Sequence, residues 1–432
     1  MGGRSNHLAL AINMISLVDA NNFYVSCERL FDPALREKPV IVLSNNDGCA
    51  VARSNEAKML GIKMGQPLFE IKDLVHRHGV IVRSSNYTLY GDMSRRIMEL
   101  VASCVPESAV YSIDEIFADL TGWPLPDLTD WARTLKKRIY RETGIPVGIG
   151  ISHTKTLAKL ANRLAKKSAK AAGVLVLDRQ DWIDLALERT EAGDVWGIGR
   201  QYARKLAQLG IYNAWQLRDM PDRSARGLMA VGGLKTVREL RGEKCFPLDD
   251  SPADKQTICV SRSLASEITC AAALTDLLFS FASRGSFKLR HAGLVAGRLQ
   301  IFALGNRFRP DRPQFSRAVD IGLLPSTTDT RQICSSIGQN IDRLWCPGLQ
   351  VKKAGIMLLD LCRPEAAPRD LFMPAPISSL PLMASIDGLE EKFGRDAVVV
   401  GRMPRQQVDW FTRSDNRSPC YTTRWSDIPR FS

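Results

Sequence analysis

Between Met14 and Lys167 the hydrophobic pattern switches repeatedly between short strand-like runs and helix-length segments. The order of those switches restricts the fold more than any other feature. Ile15 to Val18 is the apolar run of a buried strand, and Asn22 to Leu30 follows with helical spacing. A second strand is expected over Pro39 to Leu43, ending in the turn-rich Ser44-Asn45-Asn46-Asp47-Gly48, then a short helix from Asn55 to Leu60 that stops at Gly61. Val80-Ile81-Val82 predicts another strand. A helix from about Asp92 to Cys104, a hairpin over Val110 to Leu120, and a helix from Asp130 to Arg141 come next. A strand from Pro146 to Ile151 and a helix from Lys155 to Lys167 complete the series. Strand, helix, two strands, helix, strand is the split βαβ, or ferredoxin-like, arrangement. It places the end of the first strand beside the central hairpin.

Acidic residues sit at that meeting point. Asp19 closes the first apolar run, and Asp114-Glu115 interrupts the alternation of the hairpin. Three carboxylates at strand ends make a seat for two Mg²⁺ ions, because hard cations take oxygen ligands and need few from protein when phosphates supply the rest. The chain around them is basic, with 59 Lys and Arg against 46 Asp and Glu and a net charge of +13. An acidic partner, an anionic membrane or nucleic acid could each answer that excess. Its distribution favours nucleic acid. From Trp131 to Lys170 there are eleven Lys or Arg and one acid, Glu142, on a stretch read as helix, strand, helix. A solvated helical face is the plainer account of that run, but a surface for backbone and triphosphate fits better beside the carboxylates.

Other classes fall away. The ten cysteines are scattered without a C-x-x-C and form no ligand set with the five histidines, so a zinc site is not expected and reduced thiols of a cytoplasmic protein are. The longest apolar run, Leu8 to Val18, is too short to span a bilayer. Gly150 to Thr156 imitates a phosphate-binding loop, yet Thr154 stands where glycine must precede the lysine, which argues against a P-loop ATPase.

At 432 residues two to four domains are expected. Residues 1–13 read as an extension, with Met14 a possible natural start. Residues 190–242 are helical and contain Val195-Trp196-Gly197-Ile198-Gly199. A glycine hairpin between short helices exposes backbone N–H groups, and Gly197, Gly199, Arg200, Arg204 and Lys205 together suggest a helix-hairpin-helix that grips duplex backbone. An ordinary helical turn has the same pattern. From about Lys244 the texture becomes that of a separate α+β domain. After Arg363 the chain is proline-rich, which suits a flexible linker or docking peptide.

Val18-Asp19-Ala20-Asn21-Asn22-Phe23-Tyr24-Val25-Ser26-Cys27-Glu28 resembles the opening motif of Y-family DNA polymerases, and Tyr111-Ser112-Ile113-Asp114-Glu115 resembles their second metal motif. Within that family the likeness is to the UmuC-like branch, the catalytic subunits of DNA polymerase V and their plasmid-borne relatives. Ser44 to Cys49, Ser85-Asn86-Tyr87, Lys155 to Asn162, Val195 to Arg200, Ser261-Arg262-Ser263 and Tyr421-Thr422-Thr423-Arg424 carry it nearly to the C-terminus.

The resemblance implies an α+β right-hand polymerase. The ferredoxin-like palm would take residues 14–22 and 88–175, small fingers 23–87, and a helical thumb with the helix-hairpin-helix 176–243. An α+β little finger would take 250–363 and a partner-binding tail 364–432. By the same resemblance Asp19, Asp114 and Glu115 are catalytic, with the Ala20 carbonyl completing the two Mg²⁺ sites. Lys58 and Lys166 hold the triphosphate, with Phe23 beside the nucleotide, and Tyr24 is a steric gate against the 2′-hydroxyl. Without the resemblance the lysines are surface residues and the two rings core aromatics. Asn55 departs from the tyrosine often found there. Leu371 and Phe372 match a clamp-binding anchor that lacks its usual leading glutamine. The implied activity is error-prone translesion synthesis from a primer–template with deoxynucleoside triphosphates in the SOS response. The implied partners are a UmuD′-like dimer, the RecA filament and the sliding clamp, in the cytoplasm and on the nucleoid when active. Two rivals are a non-catalytic relative serving as a DNA-bound repair scaffold, and a helix-hairpin-helix glycosylase, which leaves the acids unexplained.

Overall fold

The computed structural model describes residues 13–123, 127–248, 255–309, 311–312, 314–368, 379–394, 397–400 and 414–428. The extension over 1–12 and the anchor Leu371-Phe372 lie outside the described residues. The chain divides into two compact units, one of residues 1–251 with 414–432 and one of 252–413.

The first unit opens with β1 (Ile15–Ala20), α1 (Phe23–Phe31), β2 (Val40–Leu43), β3 (Ala50–Arg53), α2 (Asn55–Met59), α3 (Lys72–His78) and β4 (Ile81–Ser84). It continues through α4 (Tyr87–Ala102), β5 (Glu107–Val110), β6 (Glu115–Asp119), α5 (Leu128–Thr143), β7 (Val147–Ser152), α6 (Lys155–Lys167) and β8 (Val174–Leu177). Five strands form one sheet in the order β5-β6-β1-β7-β8, with β1 antiparallel to both β6 and β7. The first four strands keep the ferredoxin-like order, and β8 adds a parallel edge beside β7.

Helices cover the sheet so thoroughly that every residue of β7 is buried, and five of the six in β1 are. That is why both strands read as continuous apolar runs rather than alternating ones. Gly150 allows α6 to lie this close, since a Cβ there would stand 2.2 Å from the Asn162 nitrogen. The helix α4 starts five residues before the expected Asp92, because the Asn86 side chain caps it by accepting from the Leu89 N–H. Strands β3-β2-β4 make a separate small sheet.

The N-terminus of α6 binds a protein carboxylate. Glu239, fully buried, accepts from the Thr156 N–H and hydroxyl at 2.8 Å each and from the N–H groups of Cys245 and Phe246 at 3.1 Å. The donors that a P-loop would aim at phosphate are already satisfied here. Glu239 lies in α10 (Asp222–Leu240), which with α7 (Gln180–Glu188), α8 (Arg200–Gln208) and α9 (Ala214–Arg218) surrounds a separate apolar cluster.

The second unit repeats the linear pattern with β9 (Ile258–Ile268), α11 (Ala271–His291), β10 (Val295–Leu304), β11 (Ser316–Thr327), α12 (Thr330–Leu344) and β12 (Val351–Cys362). Its sheet is antiparallel in the order β11-β10-β12-β9. A last helix, α13 (Leu380–Phe393), follows the proline-rich stretch expected to be a flexible linker or docking peptide, of which residues 369–378 lie outside the described residues. Pro381 falls in its first turn, where a missing N–H costs nothing. Asp387 accepts from Arg290 Nη2 and Nε at 2.6 and 2.7 Å, and Met383 is buried. Among the described residues no helix is long and apolar enough to cross a membrane.

Candidate active site

The strand register brings the expected acids together. Asp19 stands opposite Glu115 on one side and Gly148 on the other, and the Ala20 N–H donates to the Asp114 carbonyl at 2.8 Å. Cross-strand partners share a face, so the Asp19 and Glu115 side chains point together toward α6. Asp114 occupies the tight turn before β6, where the Ser112 hydroxyl donates to its carboxylate at 2.6 Å and accepts from the Asp114 and Glu115 N–H groups. Burial is the main reason the Asp19 carboxyl is held above the ordinary carboxylate range; the negative charges of Glu115 and Asp114 add to it, while Lys166 opposes.

Two lysines from α6 answer those charges. Lys166 Nζ is 2.6 Å from Asp19, and Lys159 Nζ lies 2.8 Å from both oxygens of Glu115. Gly148 clears the way for the first, since a Cβ there would meet Lys166 Cε at 3.0 Å. Lys159 was not singled out in the sequence. Its ammonium also rests 4.4 Å from the Tyr111 ring and 5.4 Å from that of Trp196. The available signal was spacing, because seven residues are two helical turns and put Lys159 and Lys166 on one face.

The residues expected at the nucleotide lie around the connection after β1, with Phe23 and Tyr24 opening α1 and Lys58 on α2. Lys58 Nζ donates to Asn22 Oδ1 at 2.6 Å, while Asn22 Nδ2 donates to Asn55 at 3.0 Å. Burial lowers the Lys58 pKa, and the nearby cations Arg53 and Lys166 lower it further. Tyr24 lies half-buried on α1, its ring stacked on Tyr90 at 4.4 Å and 15° and edge-on to Tyr87 at 6.0 Å. Phe23 belongs to the hydrophobic core, with 4% of its surface exposed.

Gly197, with φ +88°, makes the turn of the hairpin, and Gly199 caps α8. Arg200, Arg204 and Lys205 are exposed along α8. A 3-10 turn, Ala192–Asp194, precedes the hairpin, and the Trp196 indole reaches back to the Tyr111 hydroxyl at 3.2 Å.

Among the described residues no three His, Cys, Asp or Glu side chains are gathered closely enough to hold a metal ion. Asp19 and Glu115 are instead engaged by lysines and Asp114 by Ser112. The donor set nonetheless suits a hard divalent cation. It is all oxygen, it lies at the neighbouring ends of adjoining strands, and its central carboxylate is disfavoured as an anion by burial and by its acidic neighbours.

The impB/mucB/samB family model matches residues 18–163, the family's C-terminal domain 255–371, and a domain of unknown function, DUF4113, residues 381–430. Protein UmuC of Salmonella typhimurium strain LT2 is 39% identical over 421 residues, 96% of this chain and 100% of that protein. The chain belongs to the impB/mucB/samB family, the UmuC-like Y-family DNA polymerases. Protein MucB of Escherichia coli is similar to this UmuC-like chain at 36% identity, over 96% of it and 99% of the relative. DNA polymerase IV of Brucella melitensis is similar at 28%, over 89% of the chain and 84% of the relative. In fold, the UmuC-like chain is similar to a Y-family DNA polymerase chimera of Dbh and Dpo4, with a TM-score of 0.64 and 20% identity over 81% of this chain and 99% of that one. Polymerases of this family are metal-dependent nucleotidyltransferases.

Proposed function

We infer that this protein is an error-prone translesion DNA polymerase of the SOS response, adding deoxynucleotides to a primer end opposite damaged template. The observation that carries the reading is the register of β1 and β6, which brings Asp19, Asp114 and Glu115 to one sheet end under two lysines of α6. A scaffold that had lost catalysis would not need all three acids.

Asp19, Asp114, Glu115 and the Ala20 carbonyl would hold two Mg²⁺ ions, which when bound supply positive charge to the α-phosphate and lower the pKa of the primer 3′-hydroxyl. Lys166 and Lys58, facing Asp19 and the β1–α1 connection, neutralise the incoming triphosphate. Lys159 holds Glu115 in place before substrate arrives. The flat Tyr24 ring, backed by Tyr90, leaves no room for a 2′-hydroxyl and selects the sugar by exclusion. Phe23 supports that ring from the core.

The glycine hairpin and the cations of α8 grip duplex backbone through phosphates, without reading sequence. Leu371 and Phe372 dock on the sliding clamp, and a UmuD′-like dimer and the RecA filament complete the active assembly on the nucleoid, in the cytoplasm. The reading is tested by Asp114→Ala in a Mg²⁺-dependent primer-extension assay. Extension should vanish while DNA affinity stays within about two-fold, since the phosphate contacts are untouched; retained extension would overturn the assignment.

A further inference from the structure

The last described segment, residues 414–428, returns to the first unit and packs beneath the aromatic group around Tyr24. Its entry extends the small sheet. Ser84 and Arg417 form a parallel bridge, with the Ser84 N–H donating to the Asn416 carbonyl at 3.1 Å and the Asn416 N–H to the Ser84 hydroxyl at 3.0 Å. The segment is then held by Asn86, a fully buried residue whose amide donates to the Ser418 carbonyl, the Ser418 hydroxyl and the Pro419 carbonyl at 3.0 to 3.1 Å. Farther on, the Tyr421 ring stacks on Phe31 at 4.9 Å and 12°.

Ser418 does more than anchor. Its hydroxyl donates to Glu28 Oε1 at 2.9 Å, and the Tyr90 hydroxyl donates to the same oxygen at 2.6 Å. Glu28 is 1% exposed, and among the described residues these two hydroxyls are its side-chain hydrogen-bond donors. A buried carboxylate depends on such donors to keep its place. Tyr90, fixed by Glu28 at one end, presents its face to Tyr24 at 4.4 Å. A continuous path therefore runs from Ser418 through Glu28 and Tyr90 to Tyr24.

We propose that the C-terminal segment is a positioning element for sugar selection, with Ser418 acting through Glu28 and Tyr90 to set the ring of Tyr24. The proposal rests on the reading of Tyr24 as the steric gate, and it gives a task to the C-terminal part of the region matched by DUF4113. Ser418 touches no substrate, so its removal should alter discrimination more than turnover. The gate would loosen by an amount comparable to one lost hydrogen bond rather than disappear.

The experiment compares kcat/KM for dCTP and CTP in primer extension by the full-length chain carrying Ser418→Ala, Ser418→Thr or Tyr421→Leu, with Tyr24→Ala as control. Ser418→Ala should lower the deoxy-over-ribo preference about five-fold, the equivalent of one hydrogen bond, with kcat for dCTP within about two-fold of the parent. Ser418→Thr keeps the hydroxyl and should restore the preference. Tyr421→Leu loosens the segment from a distance and should reproduce the loss, which keeps the test decisive if Ser418→Ala folds poorly. Thermal melting of each variant separates a loosened gate from an unfolded unit. An unchanged preference in folded Ser418→Ala, or in Tyr421→Leu where Ser418→Ala does not fold, alongside collapse in Tyr24→Ala, overturns the role of the segment and leaves the gate standing. An unchanged preference in Tyr24→Ala overturns both.

Discussion

The two units share one linear pattern, strand–helix–strand–strand–helix–strand, yet they assemble it differently. In the first, counting the four strands of the pattern in chain order, the central pair is the third with the first, β6 with β1; in the second it is the second with the fourth, β10 with β12. That difference decides where chemistry can occur. The end of β1 is flanked on both sides by other strands, so its penultimate residue Asp19 meets Glu115 across one neighbour and the close-lying α6 over the other. The first strand of the second unit, β9, is an edge with no such concentration of charge.

Burial differs as well. Helices α11 and α12 cover one face of the second sheet, and its strands alternate between buried residues such as Leu299 and Ile301 and outward ones such as Arg298 and Gln300. The uncovered face is a broad mixed surface. Phe302 lies across Gly355, where a Cβ would stand 2.5 Å from the ring. Catalytic charge needs one sheltered strand end in a low-dielectric setting, which β1 provides, whereas an open face such as that of the second sheet would suit backbone binding.

The sharpest way to break this contrast is to remove one acid from each sheet. Asp19→Ala should reduce primer extension by at least about 10³-fold. Asp360→Ala, which removes an exposed partner of Arg298, should leave extension within about two-fold, as exposed ion pairs contribute little. Comparable losses in the two variants would show that the division of labour is wrong. Next in size, Tyr24→Ala should raise ribonucleotide incorporation on the order of 10²-fold, the scale on which a pocket rejects an added hydroxyl by shape. A sugar preference identical to that of the parent would remove the gate.

A smaller change is expected at the triphosphate. Lys166→Ala should raise KM for the nucleotide about ten-fold with a lesser change in kcat, because one ground-state charge contact is lost. A pure kcat effect would place Lys166 at the reacting atoms instead. Smallest of all, Lys353→Ala on the open face should lower the slope of log affinity against log salt by about 1, the signature of one phosphate contact. An unaltered slope would mean that this face does not meet DNA.

Much of the site was legible in the sequence because its parts are local. Asp19 closes an apolar run, Asp114-Glu115 sits at a turn, and the helix from Lys155 to Lys167 coincides with its expected bounds. Lys159 escaped because a lysine on an amphipathic helix has no distinguishing neighbour in the chain; only the packing of α6 over β1 identifies its partner. The tail was less legible for the opposite reason. Its prolines suit a linker or docking peptide, yet Pro381 falls in the first turn of a helix, and residues 414–428 find hydrogen-bond partners some 330 positions away.

By itself, then, the order of amino acids determined most elements of the first sheet, their solvent preference, the oxygen-rich donor set and the basic character of the chain. Those follow from nearest-neighbour geometry and the periodicity of burial. Only the tertiary structure decided which of two sheet orders each pattern adopts, which lysine meets which carboxylate, and that Ser418 reaches Glu28 beneath the Tyr24 ring. Strand pairing and buried polar contacts are settled by the simultaneous satisfaction of distant groups, and that competition is resolved in three dimensions.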